Sequence, residues 1–193
     1  MTTFWDEQAA TFDDEPDHGL RDADVRAAWA KLLLPLMPPG SAEVVDLGCG
    51  TGSLSVLLAE AGHHVRGVDL AARMVSAATA KARAAGVAAE FVQGDAAEPP
   101  YAPASADVVL ARHVLWALPD PASALRAWVR LLRPGGRLVL VEGHWSTGSG
   151  LRSAECEEFV RAVREEAAVT PLPDPALWGR EISDERYLLV SRG

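Results

Sequence analysis

Glycine recurs at every second position of one loop, at Gly48, Gly50 and Gly52. The loop follows a short apolar run, residues 43–47, and precedes a segment with helical spacing of leucines. Glycine lets the backbone approach a bound molecule closely, and a helix N-terminus offers free N–H groups. The loop therefore predicts a binding site for a nucleotide-like ligand. A dinucleotide fingerprint would have its third glycine at position 53, where this chain has Ser53.

Three acidic residues accompany this loop. Asp46 stands directly before it, Asp69 ends the next predicted strand, and Asp95 follows the third. Because ligands of open α/β sheets bind at the carboxyl ends of the strands, we expect these groups to converge at one edge. Asp69 is placed there to accept hydrogen bonds from both hydroxyls of a ribose.

Two histidines, His113 and His144, follow later predicted strands at the same edge. Each is a candidate catalytic residue, because histidine acts as a base or a hydrogen-bond donor near neutral pH. A simple hydrogen-bonding role is the alternative for both. Trp116 and Trp145 lie near them in the sequence, and they either line an apolar pocket or pack in the core.

The elements that must position these residues alternate from residue 42 onward between short β-branched runs and longer helical patterns. Such alternation predicts an α/β fold with a mostly parallel sheet. Strands are predicted at 43–47, 64–69, 91–92, 107–111, 137–141, 169–172 and 187–190. Helices are predicted at 54–61, at 71–85, from residue 121 to about 132, and at 153–168.

Length and charge limit the classes of function. The 193 residues suit one domain, and a formal charge of −9 argues against a nucleic-acid partner. No apolar run approaches the roughly 20 residues that cross a bilayer, and the N-terminus does not read as a secretory signal, so we expect a cytoplasmic protein. Cys49 and Cys156 have no spacing typical of a disulfide framework or a zinc site, and no metal is expected.

The chain resembles the class I S-adenosylmethionine-dependent methyltransferases, within them the small-molecule branch of the ubiquinone and menaquinone biosynthesis type. Five segments carry the resemblance in the family's order, at 46–52, 67–69, 94–96, 107–118 and 132–138. The resemblance implies a single Rossmann-like, doubly wound sheet of seven strands with an antiparallel last strand and helices on both faces. It also implies S-adenosylmethionine as the cofactor and a small-molecule methyl acceptor, with the chain a monomer or homodimer.

The resemblance further implies roles for individual residues. Nine would bind the cofactor: Asp46, Gly48, Gly50, Gly52, Asp69, Leu70, Asp95, Ala96 and Arg112. Of these, the glycines would bracket the methionine part, Asp69 would hold the ribose, and Leu70 would pack on the adenine whose edge Asp95 and Ala96 read. Arg112 and His113 stand where the family lines the methionine and substrate side.

The N-terminal segment carries large aromatic residues among eight acidic side chains and one arginine in its first 24 residues. We expect residues 1–40 to form a helical lid over the methyltransferase domain at 41–193, with Trp5, Phe12 and His18 near the site. The lid is expected to order when the cofactor binds. Its negative charge predicts a neutral or cationic acceptor.

Two other functions compete with methyl transfer to an O, N or C nucleophile. A nucleotide-dependent oxidoreductase shares the strand, glycine loop and ribose acid, but Ser53 and Asp46 count against it. A non-catalytic cofactor-binding regulator would keep the site without transfer. The run Glu98-Pro99-Pro100-Tyr101 resembles the signature of amino methyltransferases, but it precedes the fourth strand, so we interpret it as a proline turn.

Overall fold

A computed structural model describes residues 2–193. Its core is a seven-stranded sheet in the order β3-β2-β1-β4-β5-β7-β6. The strands are β1 (Glu43–Leu47), β2 (His64–Asp69), β3 (Ala89–Gln93), β4 (Ala106–Arg112), β5 (Leu132–His144), β6 (Ala168–Pro171) and β7 (Glu185–Arg192). The first five pair in parallel, and β7 pairs antiparallel with both β5 and β6. The predicted Rossmann-like sheet is confirmed, including the antiparallel last strand.

Eight α-helices connect and flank these strands within the described part of the chain. They are α1 (Thr2–Gln8), α2 (Pro16–Gly19), α3 (Ala23–Leu33), α4 (Ser53–Glu60), α5 (Ala72–Ala85), α6 (Pro121–Leu131), α7 (Ser153–Arg161) and α8 (Pro175–Trp178). None of the described helices is long and apolar enough to span a membrane.

Both faces of the sheet are buried. On one face α6 and α7 pack against the strands around Trp128, whose indole N–H donates to the carbonyl of Ala96 at 2.6 Å. On the other face α3, α4 and α8 pack around Trp29, whose indole N–H donates to the carbonyl of Leu177 at 2.8 Å. This second bond ties the C-terminal segment to α3 and places Trp178 beside the binding edge.

Sequence patterning locates β1 and β2 correctly to the residue. The predicted helix at 153–168 is wrong in its second half, because α7 ends at Arg161. Beyond this end, the Arg161 side chain donates hydrogen bonds to the carbonyls of Glu165 and Ala167, and β6 begins at Ala168. Pairing of β6 with β7 therefore outweighs the helical spacing of residues 162–168.

The predicted lid, residues 1–40, is helical as described from residue 2, while residue 1 lies outside the described residues. Asp22 begins α3, because its carboxylate accepts from the backbone N–H groups of Asp24 and Val25. The segment that was predicted to be helical contains three short α-helices, α1 to α3, joined by turns.

Candidate active site

A cavity of about 460 Å³ opens at the carboxyl ends of the parallel strands. Three parts of the chain line it: the loops that follow β1 to β5, the N-terminal segment, and residues 178–186. Ligands of doubly wound sheets bind at this edge. The cavity therefore has a glycine-loop end and an end built by the C-terminal segment.

The glycine loop bends into the cavity with left-handed backbone at all three glycines. Gly48 has φ +67°, and a Cβ there would lie 2.4 Å from a methyl group of Val114. At Gly52, φ is +76° and a Cβ would lie 2.8 Å from that of Ala78. Larger residues are therefore excluded at both positions, and at Gly48 the backbone itself forms the cavity wall.

Asp69 fixes the loop from the neighbouring strand. Its carboxylate accepts from the backbone N–H of Gly50 at 2.8 Å and from that of Ala71 at 2.9 Å. Burial raises the pKa of Asp69, while these two backbone hydrogen bonds oppose the rise. Carboxylate oxygens hold further lone pairs, so Asp69 can accept from ligand hydroxyls as well.

Asp46 lies under the loop and is 3% exposed. Ser55 Oγ donates to it at 2.5 Å. Burial raises the pKa of Asp46 to about 6, and the Ser55 hydrogen bond and the charge of Arg112 oppose this.

The third acid, Asp95, also lines the cavity, and it accepts from the backbone N–H of Ala97 at 2.8 Å. Leu70, Ala96 and Met74 provide apolar surface beside it. Met74 is a lining residue that the sequence analysis did not identify.

Arg112 ends β4 between the two ends of the cavity. Its guanidinium donates to the backbone carbonyl of Asp17 and lies 5.2 Å from the ring centre of Trp29. Arg112 thus joins the sheet edge to the N-terminal segment as well as lining the cavity.

His113 follows with a left-handed backbone, φ +57°, which is uncommon for a residue with a Cβ. Its ring stacks on Trp178 at 6.0 Å and meets Trp145 edge-on at 5.2 Å. No residue within 2–193 bonds to its Nε2. Burial, and then the charge of Arg112, hold the pKa of His113 well below its usual value, so the ring is neutral at pH 7.

We call one group the aromatic cluster: His113, Trp116, Trp145, Trp178 and Arg186. The rings of Trp116 and Trp145 lie 5.1 Å apart. Arg186 from β7 lies over two of the indoles, 4.9 Å from the ring centre of Trp145 and 5.4 Å from that of Trp178. The cluster forms the end of the cavity farthest along the sheet from β3.

The N-terminal segment is docked over the glycine loop by polar contacts. Lys81 Nζ lies 2.8 Å from a carboxylate oxygen of Asp13 and 3.0 Å from Thr51 Oγ1, and Thr51 in turn donates to Asp13. Asp6 accepts from the backbone N–H of Arg73 at 2.9 Å, at the start of α5. The segment therefore covers the cavity in this structure.

Aromatic residues of the same segment face the cavity. The Phe12 ring stacks on His18 at 4.2 Å, and a Cβ at Gly50 would lie 3.2 Å from Phe12. Trp5 lines the cavity as well. The predicted lid residues thus lie at the cavity, whereas ordering upon cofactor binding stays a prediction.

Most predicted site residues line the cavity, and two do not. Gly52 lies one step too far along the loop, with its space filled by Ala78 and Phe91. His144 ends β5 and pairs across the strand with Glu185, away from the cavity lining. Among residues 2–193, no group of three potential ligands could hold a metal ion.

The C-terminal lining residues were missed by the sequence analysis: Trp178, Arg180, Ile182, Asp184 and Arg186. They lie between the two predicted tail strands, in a stretch without hydrophobic periodicity. The one available signal was a tryptophan followed by glycine and arginine. Only the β7 pairing with β5 brings this segment to the cavity.

Comparison with known proteins gives consistent matches. A family model described as a methyltransferase domain matches residues 45–140. A ubiquinone biosynthesis O-methyltransferase of Ralstonia nicotianae is 36% identical over 138 residues, which cover 70% of this chain and 56% of the relative. The chain spans about half the length of the curated relatives it matches.

Solved structures share the fold. One is a chain from a complex between the Haloferax volcanii Trm112 methyltransferase activator and a methyltransferase, with a TM-score of 0.74, 23% identity, and coverage of 97% of this chain and 96% of that one. Another is a geranyl diphosphate methyltransferase in complex with GPP and sinefungin, with a TM-score of 0.70, 21% identity, and coverage of 86% and 77%. Identities at this level show a common fold.

Proposed function

Because this chain belongs to the class I S-adenosylmethionine-dependent methyltransferases, we propose that it transfers a methyl group from S-adenosylmethionine to an oxygen atom of a small molecule. One observation carries the proposal: a single cavity joins the Asp69 and glycine-loop end to the aromatic cluster, with Arg112 between them. The relatives named as O-methyltransferases support oxygen as the acceptor atom.

The cofactor residues fit a nucleoside with a charged amino-acid tail. Asp69 takes the ribose hydroxyls, Leu70 and Met74 flank the adenine, and Asp95 lies at the adenine edge. The backbone of Gly48 and Gly50 borders the amino-acid part, where a Cβ would close the space. When bound, S-adenosylmethionine supplies a methyl group activated by the positive charge on its sulfur.

The chain contributes mainly alignment. The glycine-loop end would hold the cofactor and the aromatic cluster would hold the acceptor, so the two reactants would meet within one cavity. Holding two reactants in this geometry is worth roughly 7–11 kcal/mol in favourable models. Trp145 and Trp178 fix the neutral His113 ring, so a ring nitrogen can accept a hydrogen bond from an acceptor hydroxyl.

The N-terminal segment excludes water from the reacting atoms. Phe12 and His18 stack over the glycine loop, and the contacts of Asp13 with Lys81 and Thr51 hold them there. A dry site strengthens every electrostatic interaction inside it.

Calorimetry with S-adenosylhomocysteine, S-adenosylmethionine and NADH tests the proposed cofactor. We expect the first two to bind and to raise the free energy of unfolding, by about 2.7 kcal/mol at one hundred times the dissociation constant. A protein that binds NADH instead is the oxidoreductase of the alternative hypothesis.

A screen of hydroxylated small molecules for S-adenosylhomocysteine release tests the reaction itself. Release that depends on the acceptor supports methyl transfer. Cofactor binding without release from any hydroxyl, amine or carbon acceptor contradicts the proposed activity and leaves a cofactor-binding regulator.

A further inference from the structure

Arg186 stands apart among the cations of the cavity. It is 8% exposed and lies between the indoles of Trp145 and Trp178. Its position on β7 opposite Gly143 explains how it fits, because a side chain at Gly143 would meet the Arg186 side chain at 2.8 Å. The fold therefore keeps a guanidinium at the aromatic end of the cavity.

The hydrogen bonds of Arg186 are incomplete. Its Nη2 donates to Asp184 at 3.1 Å, and its Nη1 donates to the carbonyl of Glu185 at 3.4 Å. Its Nε has no partner among residues 2–193 and is shielded from water. A buried, charged donor without a partner is unfavourable, so the site gains from a ligand oxygen at this edge of the guanidinium.

Neither of the other two arginines of the cavity has a buried nitrogen without a partner among residues 2–193. Arg112 donates to the carbonyl of Asp17, and Arg180 at the exposed rim lies 3.6 Å from Glu15. Asp184 is shared, because it also accepts from the backbone N–H of Ser146 at 2.6 Å. Arg186 is thus the arginine of the cavity whose buried donor lacks a partner among residues 2–193.

The N-terminal segment repels an anionic ligand less strongly than its composition predicts, because three of its acidic side chains form ion pairs. Asp13 pairs with Lys81, Asp14 with Arg21, and Glu15 with Arg180. The position on the indoles where a cationic ligand would stack is already occupied by the guanidinium of Arg186. These ion pairs offset part of the segment's negative charge, so its composition alone does not exclude an anionic acceptor.

We propose that the methyl acceptor is a flat molecule bearing a carboxylate, and that Arg186 selects it by pairing with that carboxylate while the ring lies against the aromatic cluster. This rests on the proposed methyl transfer and specifies the class of acceptor. The side chains that cover Arg186 Nε shift when the carboxylate enters, and the new hydrogen bond is charge-assisted on both sides.

Binding of three matched probes tests the proposal without requiring turnover. The probes are a hydroxynaphthoate, the corresponding carboxamide and the corresponding aminomethyl naphthol, titrated by calorimetry with and without saturating S-adenosylhomocysteine. We expect the carboxylate to bind at least about tenfold more tightly than the carboxamide, the ratio that one charge-assisted hydrogen bond supplies. The aminomethyl compound should bind most weakly.

Arg186→Gln should bring the affinities of the carboxylate and the carboxamide to within about twofold of each other. Arg192→Gln is the matched control, because it removes the same charge from the exposed end of the same strand, and it should keep the preference. Retained S-adenosylhomocysteine affinity shows that each variant is folded. If Arg186→Gln does not fold, the preference of the unaltered protein decides the matter.

Equal affinities for carboxylate and carboxamide in the unaltered protein, a preference that survives Arg186→Gln, or tightest binding of the aminomethyl probe would each overturn the proposal. Failure of the proposed function has a different signature. In that case S-adenosylhomocysteine does not bind or no acceptor is methylated, while the probe preference is still read in the cofactor-free titrations.

Discussion

Glu142 in β5 carries a carboxyl group that the fold buries completely, with 0% of the residue exposed. One oxygen accepts from the backbone N–H of Val114 at 2.9 Å and of Leu115 at 2.7 Å, which holds the turn after His113. No residue in the described part of the chain donates to the other oxygen. Burial raises the pKa of Glu142 from 4.5 to about 8, against the pull of these hydrogen bonds.

A raised pKa makes the fold less stable as the pH increases. Between pH 4.5 and about 8 the folded protein keeps a proton on Glu142 that the unfolded chain releases. The free energy of unfolding then falls by about 1.4 kcal/mol for each pH unit, and by at most about 5 kcal/mol over the whole interval. Below this pH interval Glu142 contributes its full stabilisation of the folded state, and above the interval that stabilisation is lost.

Glu142→Gln keeps an oxygen for the two backbone donors but cannot ionise. Relative to the unaltered protein, we expect its free energy of unfolding to rise progressively from about pH 5 to about pH 9, by several kcal/mol in all. Urea denaturation across this pH range measures the difference in the free energy of unfolding between the two proteins. A penalty from the amide that does not depend on pH leaves the change of this difference with pH unaffected.

Glu185→Gln provides the control. Hydrogen bonding by Ser153 lowers the pKa of Glu185, so this group is ionised in both states above about pH 6. The effect of Glu185→Gln should therefore be constant from there to about pH 9. A stability difference for Glu142→Gln that is equally constant would refute the reasoning.

Three further predictions concern the cavity. Asp69→Ala should weaken S-adenosylhomocysteine binding in calorimetry by about 1.5–3 kcal/mol, because ribose bonds and the support of the loop are lost together. Asp107→Asn, which removes the carboxylate charge that pairs with Arg133 at the opposite end of the sheet, should leave that affinity unchanged. His113→Ala should lower the single-turnover rate more than cofactor affinity, and a rate within about twofold would contradict its contact with the acceptor. Asp13→Asn should speed amide hydrogen exchange in the N-terminal segment by weakening its contact with Lys81, and equal exchange rates would show that this contact does not hold the segment down.

Local sequence signals were sufficient for the glycine-loop end of the cavity. The bounds of β1 and β2 follow from β-branched runs that end at a glycine loop and at Asp69. The start of α6 follows from Asp120, whose side chain accepts from the backbone N–H of Ser123, with Pro121 in the first turn. These residues interact within a few positions of one another, so the local sequence is sufficient to predict the structure that they form.

Only tertiary structure decides the aromatic end of the cavity. Arg186 and Trp178 reach the cavity because β7 pairs antiparallel with β5 and because Trp29 anchors the segment before β7. The pairing partners lie more than forty residues apart in the chain, so no local pattern marks them. The pairing of β7 with β5 also buries the carboxyl of Glu142, a residue type that is otherwise mostly exposed, and the pairing of β6 with β7 outweighs the helical spacing after Arg161.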